Sequence, residues 1–173
     1  VFEQIKRVRP KFLYVASDGP RRNKKEEENL VSETREIISQ INWKCELRTL
    51  YREENLGCRN AVSSAINWFF DNVEKGIILE DDCYPDLSFF YFCEELLHRY
   101  DSDEGVLQIN GTNFLPQTYS KNINESYYFS RYPLIWGWAT WRKAWMKYDL
   151  QMSDFEKFEK LSTIKSLLAT TRE

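Results

Sequence analysis

The sequence predicts an α/β fold, a mostly parallel sheet flanked by helices. Three features carry that expectation: short wholly apolar runs of strand length, longer segments with apolar residues at helical spacing, and their alternation up to about residue 110. Strands covered by helices on both faces lose the polar positions that an exposed face would need, so they read as continuous apolar runs.

The elements follow in order. Val1 to Val8 carries Phe2 and Ile5 between basic residues, the pattern of an amphipathic helix that ends before Pro10. FLYVAS, ended by Asp18-Gly19-Pro20, is a buried strand and a turn. Glu26 to Ile41 places Leu30, Val31, Ile37, Ile38 and Ile41 near one helical stripe. WKCELRTL alternates as a half-buried strand does, and Asn55-Leu56-Gly57 breaks the chain after it. Arg59 to Asn72 is a second amphipathic helix, with Ala61, Val62, Ala65, Ile66, Phe69 and Phe70 on its apolar side. Gly76-Ile77-Ile78-Leu79 is the most apolar short strand and is expected at the centre of the sheet, stopping at Glu80-Asp81-Asp82. A helix from about Leu87 to Tyr100 feeds a strand Val106-Leu107-Gln108-Ile109. After Asn110-Gly111 come a polar stretch, YYFS, LIWGWATW and charged helical segments to Glu173. Nothing resembles a flexible linker, so residues 1–173 are read as one domain.

Composition narrows the function classes. Hydrophobic residues make up 42% and charged residues 29%, which suits a core with a solvated surface. The net charge of -3, with basic residues spread along the chain, offers little attraction for a polyanion, so nucleic acid is excluded as a partner. No run approaches the roughly 18 apolar residues that span a bilayer, and the N-terminus lacks a signal-peptide pattern. Cys45, Cys58, Cys83 and Cys93 contain no CxxC pair, so a cytoplasmic protein with reduced thiols is expected. The lone histidine, His98, falls in a helix, and no GxSxG elbow occurs, so neither Ser-His-Asp nor Cys-His chemistry has support.

In open α/β sheets ligands bind beyond the carboxyl ends of the strands. The residues delivered there are Asp18, Asn55 to Asn60, and Glu80, Asp81 and Asp82, expected on one rim. Three adjacent carboxylates repel one another, and a hard divalent cation relieves that repulsion. Mg2+ or Mn2+ commonly keeps one or two protein carboxylates and takes its remaining oxygens from water and substrate phosphates.

Asp18 with Gly19, ENLGCRNAVSSAINWFF, ILEDDCYPD and WGWATW together resemble a GT-A glycosyltransferase, of the N-acetylglucosaminyltransferase I type and its bacterial relatives. The likeness covers about Phe12 to Trp145 and rests on the order of short motifs. It implies a Rossmann-like nucleotide-diphospho-sugar transferase fold, with a nucleotide-binding part over about 1–110 and an acceptor-side part over about 111–173. Because that fold begins with a strand and this sequence opens in a helix, it also implies truncation at the N-terminus.

The resemblance implies metal-dependent, inverting transfer of a sugar from a nucleoside-diphosphate sugar, a UDP-sugar first among them, to a carbohydrate or other hydroxyl acceptor. Asp82 is then the metal ligand, with Glu80 and Asp81 facing the ribose and the metal-bound water. Asp18 and Gly19 lie beside the base, and Asn55, Gly57, Arg59 and Asn60 lie near the nucleotide. Trp136, Gly137 and Trp138 close on the sugar. Asp149 and Asp154 are the candidates for general base. Read without the resemblance, Asp18-Gly19 is a turn, Asn55 a helix cap, the tryptophans core and the two aspartates caps or surface acids. Two other functions fit the same residues: a nucleotidyltransferase, which needs a glycine-rich basic loop not visible here, and a noncatalytic sugar-binding module.

Overall fold

The computed structural model describes residues 1–114, 116, 118 and 124–160. The chain is mixed α/β, with helices around two small sheets. Strands β1 (Phe12–Ser17) and β2 (Glu46–Tyr51) pair in parallel, Phe12 opposite Glu46 through Ser17 opposite Tyr51. Strands β3 (Lys75–Ile78), β4 (Ile109–Asn110) and β5 (Trp138–Trp141) form the second sheet in the order β3-β5-β4, and both pairings are antiparallel. The α/β expectation is met, but the parallel relation is confined to β1 and β2.

Two helices explain how the sheets are covered. Helix α4 (Leu87–Arg99) starts at Asp86, whose carboxylate accepts the Ser88 amide proton at 2.9 Å. It buries Phe89, Cys93, Leu96 and Leu97, a stripe at i, i+4, i+7 and i+8. Against that stripe lie Ile77 of β3, Ile109 of β4, and Ala139 and Trp141 of β5. Helix α3 (Gly57–Asn72) covers the opposite face, where Ile66 and Phe70 pack with Trp138, Ile78 and Trp145. Adjacent strand residues thus serve opposite faces: Ile77 meets α4 and Ile78 meets α3, which is why both positions are apolar.

Helix α3 also reaches β1. Its Trp68 and Phe69 rings meet Tyr14 edge-on at 5.4 and 5.1 Å. The Phe69 ring lies so close over Gly76 of β3 that an added Cβ would stand 2.3 Å from it. One side chain therefore touches a strand of each sheet. On the other face, helix α1 (Phe2–Val8) meets Trp43 through Phe2, reaches Gln40 through Lys6 and packs on α4.

Helix α2 (Glu26–Glu36), continued by a 3-10 turn over Ile37–Gln40, departs from its expected apolar stripe. It buries no residue, and Leu30 is 59% exposed. Arg35 attaches it instead, donating to Ser17 Oγ at 3.1 Å and to the carbonyls of Asp18 and Arg52 at 3.1 and 2.6 Å. A guanidinium has five donors to spread over such carbonyls.

Two strand expectations need correction. β3 is an edge of its sheet, and the centre is β5, whose four residues are all buried. A four-residue segment buried on both faces shows neither alternation nor helical spacing, so WATW hides its strand character. The run expected as Val106–Ile109 forms a ladder only at Ile109–Asn110. Upstream of it a side chain replaces the ladder, with Thr140 Oγ1 donating to the Leu107 carbonyl at 2.6 Å. Short helices α5 (Arg142–Trp145) and α6 (Phe155–Lys160) complete the described elements.

Candidate ligand-binding trough

A trough of about 1670 Å³ opens where β3, β4 and β5 deliver their loops. Asp82, Tyr84, Phe114, Glu125, Tyr132 and Trp136 are among its walls. Apolar and aromatic walls with a few polar groups are the usual make-up of a small-molecule site. Tyr84 is 75% and Trp136 55% exposed, so their rings are available to a ligand.

The three acids after β3 have separate environments. A turn closed by the Cys83 amide donating to the Glu80 carbonyl at 3.2 Å carries them. Glu80 is half-buried, and burial first, then Asp82 and Asp81, push its carboxyl above the ordinary range. Asp81 and Asp82 are exposed, and of the three only Asp82 borders the trough. Among the described residues no three His, Cys, Asp or Glu side chains converge on one point. A caged metal is therefore not what this donor set fits. A single rim carboxylate does fit a cation that takes its other oxygens from a diphosphate and water.

The segment Trp136-Gly137-Trp138 splits between trough and core. Trp136 meets Phe114 edge-on at 5.9 Å, and its carbonyl accepts the Thr112 hydroxyl at 3.0 Å. Gly137 has φ +70°, a left-handed conformation that glycine adopts without cost, and its carbonyl accepts the Gly111 amide at 3.0 Å. Trp138 borders the trough but is 7% exposed and packs with Ile66 and Phe70, so it is chiefly a core residue.

A second group of expected site residues comes together in the loops that follow β1 and β2. Both Asp18 carboxylate oxygens lie 3.0 Å from the Leu56 amide, and Oδ1 also accepts from the Gly19 amide at 3.1 Å. Asn55 donates to the Gly19 carbonyl at 3.1 Å, while its Oδ1 accepts from the Gly57 amide at 3.1 Å. Gly19 has no room for a Cβ, which would stand 2.5 Å from the Glu54 nitrogen. Gly57 has open space instead and is required by its φ of +74°. Asp18 and Asn55 thus lock two loops together, as the turn reading has it, while the N-cap position of α3 falls to Leu56, one residue after Asn55. Asn60 stays near by, donating to the Leu56 carbonyl at 3.5 Å.

Among the described residues no hydrogen bond or ion pair joins this locked loop pair to Glu80, Asp81 or Asp82. Arg59 is the strap between regions. It donates to the Leu150 carbonyl, next to Lys147 and Tyr148 of the trough wall.

Asp149 and Asp154, the expected base candidates, stand outside the trough lining. Asp149 accepts from the amides of Ser153 at 2.6 Å and Gln151 at 2.8 Å, and these bonds, the Ser153 amide foremost, hold its carboxyl below the usual range. That is the chemistry of a turn residue, not of a poised base. Asp154 pairs with Lys157 on the surface.

The described carboxylates that do border the trough are Asp82, Asp86 and Glu125. Asp86 is spent on capping α4, its carboxyl lowered by the Ser88 amide. Glu125 lies in the polar stretch after residue 111, where no periodicity or motif marks it. No protein-family model matches this sequence, and no curated protein or solved structure matches it at a significant level.

Proposed function

We propose that the chain is a metal-dependent glycosyltransferase of the GT-A kind, which moves a sugar from a nucleoside-diphosphate sugar to a hydroxyl acceptor with inversion. The observation that carries this reading is Asp82, an exposed carboxylate at the end of β3, on the wall of an aromatic trough of about 1670 Å³. That volume exceeds the roughly 300–1,000 Å³ of a typical ligand pocket and leaves room for donor and acceptor together.

In this reading Asp82 would hold Mn2+ or Mg2+, which when bound supplies charge neutralisation for the departing diphosphate. Glu80, whose carboxyl is raised by burial and by Asp82 and Asp81, would face the ribose beside Asp82. Trp136 and Tyr84 offer faces to sugar C–H surfaces. Glu125 takes the proton of the acceptor hydroxyl as that oxygen bonds to the anomeric carbon, while the bond from that carbon to phosphate breaks and the diphosphate leaves with its electron pair. Asp18, Gly19, Asn55 and Gly57 shape the loop pair that frames the base side, and Arg59 ties it to the trough.

One observation favours a second reading, a noncatalytic sugar-binding module: both aspartates expected as the base lie outside the trough. A thermal-shift series with UDP-, GDP- and dTDP-sugars, with and without manganese, tests the donor site, because a ligand that binds only the folded state raises its melting temperature. A manganese-dependent shift that is lost in Asp82→Ala is expected. No shift with any nucleotide, or an undiminished shift in that variant, would overturn the site. Release of free sugar or transfer to an added oligosaccharide then separates enzyme from binding module.

A further inference from the structure

We infer that the cleft between the C-terminal end of α1, residues 40–43 and the start of α4 is a binding site for a phosphoryl group, carried as a monoester on a small molecule or a lipid. This does not rest on the transfer reading.

The first observation is charge. The cleft has a volume of about 630 Å³ and is lined by Glu3, Lys6, Arg7, Arg9, Asn42 and Leu87, three bases against one acid in a chain whose net charge is -3. The acid is already matched, since Lys6 Nζ lies 3.1 Å from Glu3 Oε1. Asp86, beside Leu87, is committed to the amide and hydroxyl of Ser88 at 2.9 and 2.7 Å. Unmatched positive charge therefore remains on Arg7 and Arg9. Gln4, 5% exposed, accepts from Arg7 Nη1 at 3.2 Å, which fixes that guanidinium and leaves its other N–H groups for a ligand. The walls are clamped together: Lys6 donates to Gln40 Oε1 at 3.3 Å, the Trp43 indole donates to the Pro10 carbonyl at 2.9 Å, and Phe2 meets the Trp43 ring.

The second observation is the backbone of Arg9. It caps α1 in the left-handed region, at φ 52° and ψ 58°, with its amide donating to the Ile5 carbonyl at 2.9 Å. Glycine is the usual residue there and asparagine the next, because an L side chain carries a steric penalty in that region. Pro10 adds to the penalty by favouring extended backbone at the residue before it. The dipole of α1 is already complemented by Lys6 and Arg7 in its last turn, so it calls for no third cation at the cap. Among the described residues no hydrogen bond or ion pair engages the Arg9 guanidinium, which lines the cleft. A strained residue whose charged end is left for a ligand is the pattern of a binding position.

The ligand class follows from the donors. A guanidinium is a planar fork that pairs bidentately with phosphate oxygens, and two of them suit the charge of about -1.5 to -2 that a phosphomonoester carries at neutral pH. A carboxylate would answer only one. The volume falls within the roughly 300–1,000 Å³ of a small-molecule pocket, so the group bearing the phosphate has room as well.

Calorimetric titration with glycerol 3-phosphate, and cosedimentation with phosphatidylcholine vesicles with and without phosphatidic acid, test this on residues 1–173 in phosphate-free buffer. Saturable binding of the soluble ester identifies a free ligand, and binding to the phosphatidic acid vesicles alone identifies a headgroup; either supports the site. Affinity should weaken severalfold between about 20 and about 150 mM salt. Arg9→Gly and Arg9→Asn should each lose at least about tenfold in affinity. Lys25→Ala, which removes a cation outside the cleft, should change it by less than about twofold. Because glycine relieves the left-handed strain, Arg9→Gly should melt no lower than the parent and up to about 4 °C higher. The inference fails if neither probe binds, if vesicles lacking phosphatidic acid bind equally, or if both Arg9 variants keep full affinity. It fails too if Lys25→Ala loses as much, or if Arg9→Gly melts lower than the parent.

Discussion

Replacing Gly57 with alanine isolates a backbone term from a packing term. The residue has φ +74° and nothing within 4 Å of where a Cβ would be, so a methyl group meets no obstacle and fills no cavity. What remains is the cost of holding an L-residue in the left-handed region, about 1–2 kcal/mol. For a chain of this size 1 kcal/mol lowers the melting temperature by about 2–4 °C, so Gly57→Ala should melt about 2–8 °C lower. Asparagine tolerates this conformation, so Gly57→Asn should lose less than half as much. Gly19 is the opposite case. Its added Cβ would press on the backbone of Glu53 and Glu54 at 2.5–2.6 Å, so Gly19→Ala should cost about 1–3 kcal/mol and asparagine should be worse. Calorimetry on the four variants checks the pair of orders. Equal losses for alanine and asparagine at position 57, or no loss with alanine, would refute the reasoning.

Other outcomes follow from the same geometry. The raised Glu80 carboxyl keeps its proton in the folded state to higher pH than in the unfolded chain, so its contribution is present at low pH and is lost as pH rises from 4.5 through the folded value. Glu80→Gln should then be more stable than the parent near neutral pH and show a smaller fall on raising pH; urea midpoints that move in parallel across pH would contradict this. Trp141, 2% exposed with its indole donating to the Leu97 carbonyl at 3.1 Å, should cost about 3–5 kcal/mol on truncation to alanine. A urea titration that finds less than about 1 kcal/mol would mean β5 is not the centre of the core. Glu125→Gln should lower sugar transfer by about 10²–10⁴ and leave the nucleotide-induced thermal shift intact; unchanged turnover would remove Glu125 as the base.

Local elements were legible where one residue period dominates. FLYVAS, an unbroken apolar run ended by a turn, marks β1 to the residue, and the expected helix from Leu87 to Tyr100 matches α4 within one residue, its stripe meeting β3, β4 and β5 together. β5 was not legible, because both of its faces are covered, Ala139 and Trp141 packing toward α4 and Trp138 toward α3, so no exposed polar side marks the alternation. Nor was the antiparallel pairing, which depends on a strand about 60 residues downstream of β3 in the chain. At the site, the crowding of Glu80, Asp81 and Asp82 was legible because repulsion among adjacent acids is a sequence-level fact, and the fold adds that of the three only Asp82 borders the trough. The turn bonds of Asp149 were not legible, because an aspartate that accepts amide bonds within a turn looks the same in sequence as one facing a cleft. Glu125 had no signal, since only the fold brings it to the trough.

Trp136-Gly137-Trp138 divides freedom to change between two tryptophans two positions apart. The outer indole is exposed and can be swapped for other aromatic or polar groups with little risk to folding, so under the proposed reading ligand selectivity can drift or be engineered there. Its inner counterpart is frozen by the packing around Phe70, and the glycine between them keeps the two constraints separate. A library randomised at position 136 alone should therefore return mostly folded proteins with altered ligand preference, while one randomised at position 138 should return few folded proteins at all.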